Sequence, residues 1–366
     1  MSKKIIKIDE RDNYRIVAIS DIHAHLSIFN ELLLKVDLKD EDYLVIVGDF
    51  VNKGSDSYNC LKYIMKLEER PRTIILKGNH ESLMHSYMKN LDESTQLQDF
   101  LKKDLYETLI HDFAKESGVD LYKSDYKYFY EKITKTFKRE FEYLTNLPIM
   151  LEFDDILFVH GGFDDSFDIS KEEHKFLKYD NYNHVGKKNK GKVIVGHWPA
   201  ALLRDNLFTN LPFINNEKNI ISIDGGIGVK NTGELNALII EKKNSKVAYE
   251  CVQANDYEKT KIVKCNQFQK EESVLISYPY YDIDLIEAGD KISICRHHKS
   301  GKRLSVINSF LVEKDNQFTL KGDYINNFLN LDVGTDVLYI ATEDEFAFVK
   351  YGDEFGWVLK NQLQVL

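Results

Sequence analysis

The chain has 366 residues, of which 43% are hydrophobic and 30% charged, and a formal net charge of −10. This composition is typical of a soluble globular protein, with length for one large domain or for a large and a small one. No apolar run approaches the ~20 residues of a membrane span, and the acidic balance argues against a nucleic-acid-binding surface, so we expect neither membrane nor nucleic acid as a partner.

The cysteines and the first residues both bear on the cellular compartment. The opening stretch, MSKKIIKIDE, becomes charged too soon for a signal peptide. The four cysteines lie scattered without CxxC spacing and are expected to be reduced thiols that bind no metal: Cys60, Cys251, Cys265 and Cys295. Both observations predict a cytoplasmic location.

The first two thirds of the chain alternate between strand and helix patterns. The apolar runs YRIVAI, DYLVIV and RTIILK are separated by the amphipathic stretches SIFNELLLKV and SDSYNCLKYIMKLEER, the second with Ser55 or Asp56 as N-cap. Residues 83–146 carry a helical pattern and are interpreted as an insertion. Further strand-like runs follow: DILFV, KVIV, NIISI, LNALIIE and KVAYECV. The alternation predicts an α/β layered core, and we assign residues 1–255 to this domain.

The pattern changes near residue 255. Residues 256–272 are polar and are predicted to be a linker, whereas residues 273–366 contain short strand-like runs separated by turn residues, as in a small all-β domain. The closing YGDEFGWVLKNQLQVL resembles the end of bacterial SH3-like domains, in which Gly-Trp-Val precedes a 3₁₀ turn and a final strand. That resemblance implies a peptide or protein partner for this domain. An unrelated small β domain remains the alternative.

Polar side chains stand at the ends of five predicted core strands, usually beside a glycine. The runs continue as SDIHAH, GDFVNKG, GNHES, VHGG and GHWP. Because the carboxyl ends of strands in open α/β sheets are where ligands bind, we expect the following side chains to converge: Asp21, His23, Asp49, Asn79, His160 and His197.

Nitrogen and oxygen donors without thiolate suit Mn²⁺, with Fe and Zn²⁺ as alternatives. Six protein ligands are too many for one catalytic metal, so they predict two divalent ions that share a bridging carboxylate.

The same five stretches, in this order, resemble the calcineurin-like metallophosphoesterase superfamily. GNHE and HGG point to its phosphoprotein phosphatase branch, which includes bacterial protein phosphatases and symmetrical diadenosine tetraphosphatases. LPIMLEFDDILFVHGG and SIDGGIGVKNTGELNALIIE resemble later family segments, so the match covers roughly residues 14–253. The resemblance implies a sandwich of mixed β-sheets flanked by helices.

The resemblance also implies a role for each matched residue. Asp21 and His23 would bind the first metal, Asp49 would bridge, and the second metal would be held by Asn79, His160 and His197. His80 would protonate the leaving oxygen as general acid, while water activated by the two metals attacks phosphorus. Lys53 would bind the substrate phosphate. Asn52 and Asp224 would contact the metal-binding and catalytic residues without binding metal or substrate themselves.

Three positions depart from the family pattern. Lys53 stands where the family has Arg, and it supplies charge but no planar fork. Asn52 replaces an Asp, so it orients His80 without adding negative charge. Ala24 replaces a Gly, which matters only if the position requires a positive φ.

We predict a phosphatase that hydrolyses phosphoserine or phosphothreonine on proteins. The alternative is hydrolysis of a dinucleotide polyphosphate or another nucleotide at the same metal centre. The substrate would then be a small phosphate ester rather than a phosphorylated protein. A third, less favoured hypothesis is a binding protein that senses a phosphate ligand. Product analysis with a phosphopeptide and with diadenosine tetraphosphate distinguishes the first two.

Overall fold

The computed structural model describes residues 4–10, 13–82, 106–315 and 317–364. Its residues group into two units, the first formed by Met1–Ala200 with Asn210–Asn255 and the second by Ala201–Thr209 with Asp256–Leu366. One division between the two units falls after Asn255. Residues 201–209, which the sequence prediction places in the catalytic domain, group with the second unit.

The first unit contains two β-sheets. Its strands are β1 (Ile5–Ile8), β2 (Tyr14–Ile19), β3 (Tyr43–Val47), β4 (Thr73–Leu76), β5 (Met150–Phe153), β6 (Ile156–Val159), β7 (Lys192–Val195), β8 (Phe213–Asn215), β9 (Ile220–Ser222), β10 (Leu235–Lys243) and β11 (Lys246–Ala254). One sheet has the order β11-β10-β2-β3-β4 and the other β1-β5-β6-β7-β9-β8. Strands β2, β3 and β4 are parallel to one another, as are β6, β7 and β9, so each sheet brings the ends of three strands together.

Helices flank these sheets. They are α1 (Leu26–Lys35), α2 (Ser57–Leu67), α3 (Leu109–Ser117), α4 (Tyr126–Thr136), α5 (Lys138–Asn146), α6 (Glu173–Leu177) and α7 (Tyr182–Val185). Asp56 caps α2 by accepting a hydrogen bond from the Asn59 backbone N–H at 3.0 Å. The predicted helical insertion is helical where the structure describes it, in α3 to α5, and its residues 83–105 lie outside the described residues.

Side-chain alternation along the strands separates the core into layers. In β3, Val45 packs between the two sheets with Ile194 of the other sheet, whereas the neighbouring Leu44 packs on the helical side with Leu61 of α2. A third cluster lies on the outer face of the second sheet around Phe176. The predicted layered sandwich, with two mixed sheets between helices, is therefore confirmed.

The second unit is built from strands. They are β12 (Glu258–Lys261), β13 (Leu275–Ile276), β14 (Asp282–Glu287), β15 (Ile292–His297), β16 (Arg303–Ile307), β17 (Leu311–Lys314), β18 (Gln317–Leu320), β19 (Tyr324–Ile325), β20 (Asp336–Glu343), β21 (Phe346–Tyr351) and β22 (Glu354–Leu359). The sheets have the orders β12-β20-β21-β22, β16-β15-β14-β18-β17 and β13-β19. The expected all-β region is present.

Two sequence predictions for the second unit meet different outcomes. The 3₁₀ turn expected after Gly356, Trp357 and Val358 is found at Lys360–Gln362. Residues 258–261, predicted as part of a linker, instead form β12, which pairs antiparallel with β20. The polar sequence hides this strand because only Thr260 of its four side chains is buried. Elsewhere, no helix among the described residues is long and apolar enough to cross a membrane.

Candidate metal centre

The carboxyl ends of five strands in the first unit meet at one site. Asp21 and His23 follow β2, Asp49 follows β3, Asn79 and His80 follow β4, His160 follows β6 and His197 follows β7. All of these side chains are buried except Asn79 and His197, which are partly exposed. The structure thus brings together every ligand predicted from the sequence.

Tight turns aim these side chains inward. Asp21, His23, Asp49 and His197 all have positive φ, between 46° and 67°. Such left-handed backbone turns the chain sharply after each strand. Gly48 has φ 81°, and a Cβ there would lie only 2.6 Å from the Gly78 Cα, so glycine is required where the turns after β3 and β4 touch.

Two groups of donor atoms share one carboxylate. His23, Asp49 and His80 form one group, and Asp49, His160 and His197 form the other; within each, the candidate donor atoms lie within 4.8 Å of one another. Asp49 Oδ2 is 3.1 Å from His160 Nε2. This arrangement fits two cations bridged by Asp49, and the nitrogen and oxygen donors suit divalent metals.

The remaining predicted ligands lie beside these groups. Asn79 Oδ1 is 3.2 Å from His160 Nε2. Asp21 Oδ1 is 3.7 Å from His23 Nε2. Asp21 lies outside the first donor group, where His80 stands instead. Its Oδ2 accepts hydrogen bonds from the Ser20 hydroxyl and the His197 backbone N–H. Its Oδ1 remains directed toward His23.

Opposite charges couple the groups around Asp49. Burial by itself would raise the pKa of Asp49, but the His160 and His80 imidazoles outweigh it and hold that pKa well below its usual range. Burial would lower the pKa of His160, but the Asp49 and Asp21 carboxylates raise it to about 10. The two carboxylates therefore stabilise a positive charge at His160, and a cation bound there would displace the His160 proton.

A hydrogen-bond chain determines the tautomer of His80. The Leu109 backbone N–H donates to Asn52 Oδ1 at 2.8 Å. The Asn52 amide nitrogen therefore faces His80 Nδ1, at 3.1 Å, and donates to it. Burial lowers the pKa of His80 to about 4, so the neutral ring carries its hydrogen on Nε2.

The other two predicted residues lie close by. Lys53 Nζ is 3.0 Å from His23 Nε2, so the ammonium faces the metal ligands. Asp224 is fully buried; its Oδ1 accepts from the Gly226 backbone N–H at 2.7 Å, and its Oδ2 has no hydrogen-bond partner among the described residues. Burial, followed by the charge of Asp21, raises the pKa of Asp224 above its usual range.

Sequence reasoning did not assign roles to two residues at this site. The Glu81 carboxylate accepts backbone hydrogen bonds from Gly78, Asp49, Phe50 and Val51 at 2.7–3.3 Å. Burial and the Asp49 charge raise its pKa to about 7. Its place in the GNHE stretch was the available signal. Asp180 contacts His197 across 17 positions of sequence and stands in no motif.

A family model described as calcineurin-like phosphoesterase matches residues 14–221, more than half of the chain. The chain therefore belongs to the calcineurin-like phosphoesterase family.

The chain is also similar to curated tetraphosphatases. The symmetrical bis(5′-nucleosyl)-tetraphosphatase of Buchnera aphidicola subsp. Acyrthosiphon pisum is 36% identical over 87 residues, which are 23% of this chain and 31% of that protein. The protein of the same name from Wigglesworthia glossinidia brevipalpis is 32% identical over 103 residues, which are 27% and 37% of the two chains. The chain spans about a third of the length of these relatives.

Two solved structures are similar at low identity. A protein serine/threonine phosphatase from Saccharomyces cerevisiae is 15% identical with a TM-score of 0.42, covering 70% of this chain and 86% of its own. A metallophosphoesterase from Sphaerobacter thermophilus is 16% identical with a TM-score of 0.38, covering 66% and 89%.

Proposed function

We propose that this chain hydrolyses phosphate esters at a centre of two divalent cations, with Mn²⁺ as the native metal. The ligands are Asp21 and His23 for one cation, Asn79, His160 and His197 for the other, and Asp49 for both. The observation that carries this proposal is the sharing of Asp49 between two groups of donors. When bound, such a metal pair lowers the pKa of a water molecule and stabilises the attacking and leaving oxygens.

The chain's own residues supply the remaining chemistry. His80 donates a hydrogen bond from Nε2 to the leaving oxygen, its protonated form acts as general acid from the same nitrogen, and Asn52 holds Nε2 as the donor. Lys53 contributes positive charge toward the substrate phosphate. Asp224 supports the site from the interior.

The substrate class that we place first is the dinucleoside polyphosphates. The curated relatives are named symmetrical bis(5′-nucleosyl)-tetraphosphatases, which is the alternative raised by the sequence. The hydrogen bond between Asn52 and His80 agrees with this choice. A neutral imidazole is too weak an acid to protonate the alkoxide of a phosphoserine, but it can donate a hydrogen bond to the phosphate leaving group of an anhydride, which departs without a full proton.

Phosphoserine and phosphothreonine on proteins, favoured by the sequence motifs, are the second candidate substrates. For the second unit we keep the prediction of an SH3-like domain that recognises a peptide or protein partner. The turn at Lys360–Gln362 agrees with that prediction. The cytoplasmic location likewise stays a prediction.

A product assay tests the proposal. The metal-free chain is reconstituted with Mn²⁺ and supplied separately with diadenosine tetraphosphate and a phosphoserine peptide, and nucleotides and phosphate are quantified. We expect nucleotide products, with kcat/KM at least tenfold above that for the peptide. Faster release of phosphate from the peptide would reverse the order of substrates. No turnover of either substrate or of p-nitrophenyl phosphate would contradict the hydrolase assignment.

A further inference from the structure

The carboxylate of Asp180 contacts the imidazole of His197. Asp180 Oδ1 lies 2.8 Å from His197 Nε2, a distance typical of an N–H donated to a carboxylate. That hydrogen bond leaves Nδ1 as the nitrogen free to bind a cation. We propose that Asp180 is a positioning residue that fixes the tautomer and orientation of His197 for metal binding. This inference rests on the two-cation centre of the proposed function.

The other two histidine ligands are held in the same manner. His160 Nδ1 is 2.8 Å from the Val47 carbonyl oxygen, and His23 Nδ1 is 3.3 Å from the Val51 carbonyl oxygen. Each ring thus places one nitrogen on an oxygen acceptor and turns the other toward the donor groups. Histidines that bind metals commonly donate their second N–H to a carbonyl or a carboxylate in this way. His197 differs because its acceptor is a side chain.

The segment that carries Asp180 packs directly against the HGG motif. The backbone N–H groups of Gly161 and Gly162 donate to the Phe176 carbonyl oxygen at 2.8 and 3.3 Å. A Cβ on Gly161 would lie 2.8 Å from the Tyr179 nitrogen, so only glycine permits this approach. The residues after ligand His160 therefore fix the position of the chain that leads into Asp180.

An ion-pair network holds the other end of that segment. Glu173, at the start of α6, pairs with Lys4 at 2.8 Å and with Lys77 at 3.0 Å. Lys77 is buried, donates to the Thr145 carbonyl oxygen at 2.9 Å, and immediately precedes the turn after β4. The segment is thus tied to the turn after β4, which carries Asn79.

Exposure separates a positioning role from a structural one. The Asp180 side chain is 57% exposed and the His197 side chain 10%. Pairs this exposed contribute little to folding stability. Loss of the carboxylate should therefore weaken metal binding and leave the free energy of unfolding of the metal-free protein nearly unchanged.

Calorimetric titration of the metal-free chain with Mn²⁺ tests this inference. Asp180→Ala should weaken one of two Mn²⁺ sites by about 10–100-fold. Asp180→Asn should retain most of the affinity, since its amide oxygen still accepts the Nε2 hydrogen. Asp165→Ala removes an exposed carboxylate from the loop before α6 and should bind Mn²⁺ as the unmodified chain does. Urea unfolding of each metal-free variant provides the stability readout.

Three results would overturn the positioning role. They are two unchanged Mn²⁺ sites in Asp180→Ala, an equal loss of affinity in Asp165→Ala, and a loss in Asp180→Asn as large as in Asp180→Ala. Should Asp180→Ala fail to fold, the comparison of Asp180→Asn with the unmodified chain decides, and a loss beyond tenfold counts against the inference. An unmodified chain that binds fewer than two Mn²⁺ ions would instead contradict the proposed metal centre itself.

Discussion

Seven non-glycine residues at the candidate metal centre have left-handed backbone conformations. They are Asp21, His23, Ala24, Asp49, Asn52, Lys53 and His197. Each such residue costs on the order of 1 kcal/mol, and clusters of this kind are found where structure is used for function. Ala24 has φ 58°, so the departure from the family glycine falls at a position that does require positive φ. The packing and hydrogen bonds around the site therefore stabilise backbone conformations that are unfavourable on their own.

At residue scale the role of His80 is open to direct test. His80→Asn should lower kcat by about 10²–10⁴ because the leaving group loses its proton donor. p-Nitrophenyl phosphate should be affected least, since its leaving group needs no proton. Because His80 also belongs to one donor group, Mn²⁺ content must be measured in parallel. Two bound ions support a general acid, whereas loss of one ion, or equal loss for p-nitrophenyl and alkyl phosphates, would remove His80 from that role.

Asn52 offers the complementary substitution. Asn52→Asp should still accept the Leu109 N–H and would also accept a hydrogen from His80 Nδ1. The added negative charge raises the pKa of His80 and favours its imidazolium form. The Asn52→Asp variant should therefore hydrolyse alkyl phosphates faster relative to p-nitrophenyl phosphate. We expect that ratio to rise about tenfold, and the limb of the pH–rate profile assigned to His80 to move to higher pH. Asn52→Ala is the control, and an unchanged ratio in Asn52→Asp would contradict the assignment.

At the scale of elements, Glu81 joins the turns that follow β3 and β4. Its two oxygens accept backbone N–H groups from both turns, including those of Gly78 and Asp49. Those groups are buried and would otherwise lack partners. One carboxylate therefore holds Asp49 and the turn that carries Asn79 in a fixed relation.

Removal of this carboxylate should be costly. Glu81→Ala leaves several buried N–H groups without acceptors, so the free energy of unfolding should fall by about 3 kcal/mol or more. Glu69→Ala removes an exposed glutamate and should change stability by less than about 0.5 kcal/mol. Urea unfolding of the metal-free proteins measures both. A change below about 1 kcal/mol in Glu81→Ala would show that the turns hold without it.

Apolar periodicity was enough to predict the core elements. Runs such as YRIVAI and DYLVIV form strands whose side chains are buried on both faces of the sheet. The polar residues that follow each run lie at the end of its strand. The same reasoning missed β12 because its pairing depends on backbone hydrogen bonds with β20 rather than on apolar side chains. Asp180 was also missed, because its contact with His197 arises from the folding of a loop that no local pattern specifies.

At the scale of the whole molecule, the two units are not consecutive in sequence. Residues 201–209 belong to the second unit, although residues on both sides of that segment belong to the first. Phe208 is buried, with its ring centroid 5.1 Å from that of Phe355 and 5.9 Å from that of Phe348. The segment begins four residues after His197. A boundary at residue 255 alone therefore does not separate the units.

Substitutions in this segment test that division. Phe208→Ala should lower the free energy of unfolding of the second unit by about 3–5 kcal/mol, the usual cost of removing a buried aromatic ring. Leu207→Ala changes a side chain that is 45% exposed and should cost less than about 1 kcal/mol. Denaturant unfolding of the full chain, followed by tryptophan fluorescence, reports the difference because Trp357 lies in the same core. Equal, small effects of both substitutions would place the segment outside that core.

The central claim is that Asp49 bridges two catalytic cations, and metal content measured together with turnover tests it most directly. The unmodified chain, reconstituted with Mn²⁺ and freed of excess ion, should contain two ions per chain by elemental analysis. Asp49→Asn weakens a shared ligand, so it should retain at most one ion and lose turnover of p-nitrophenyl phosphate by at least about 10²-fold. Two ions and near-normal turnover in Asp49→Asn would contradict the account.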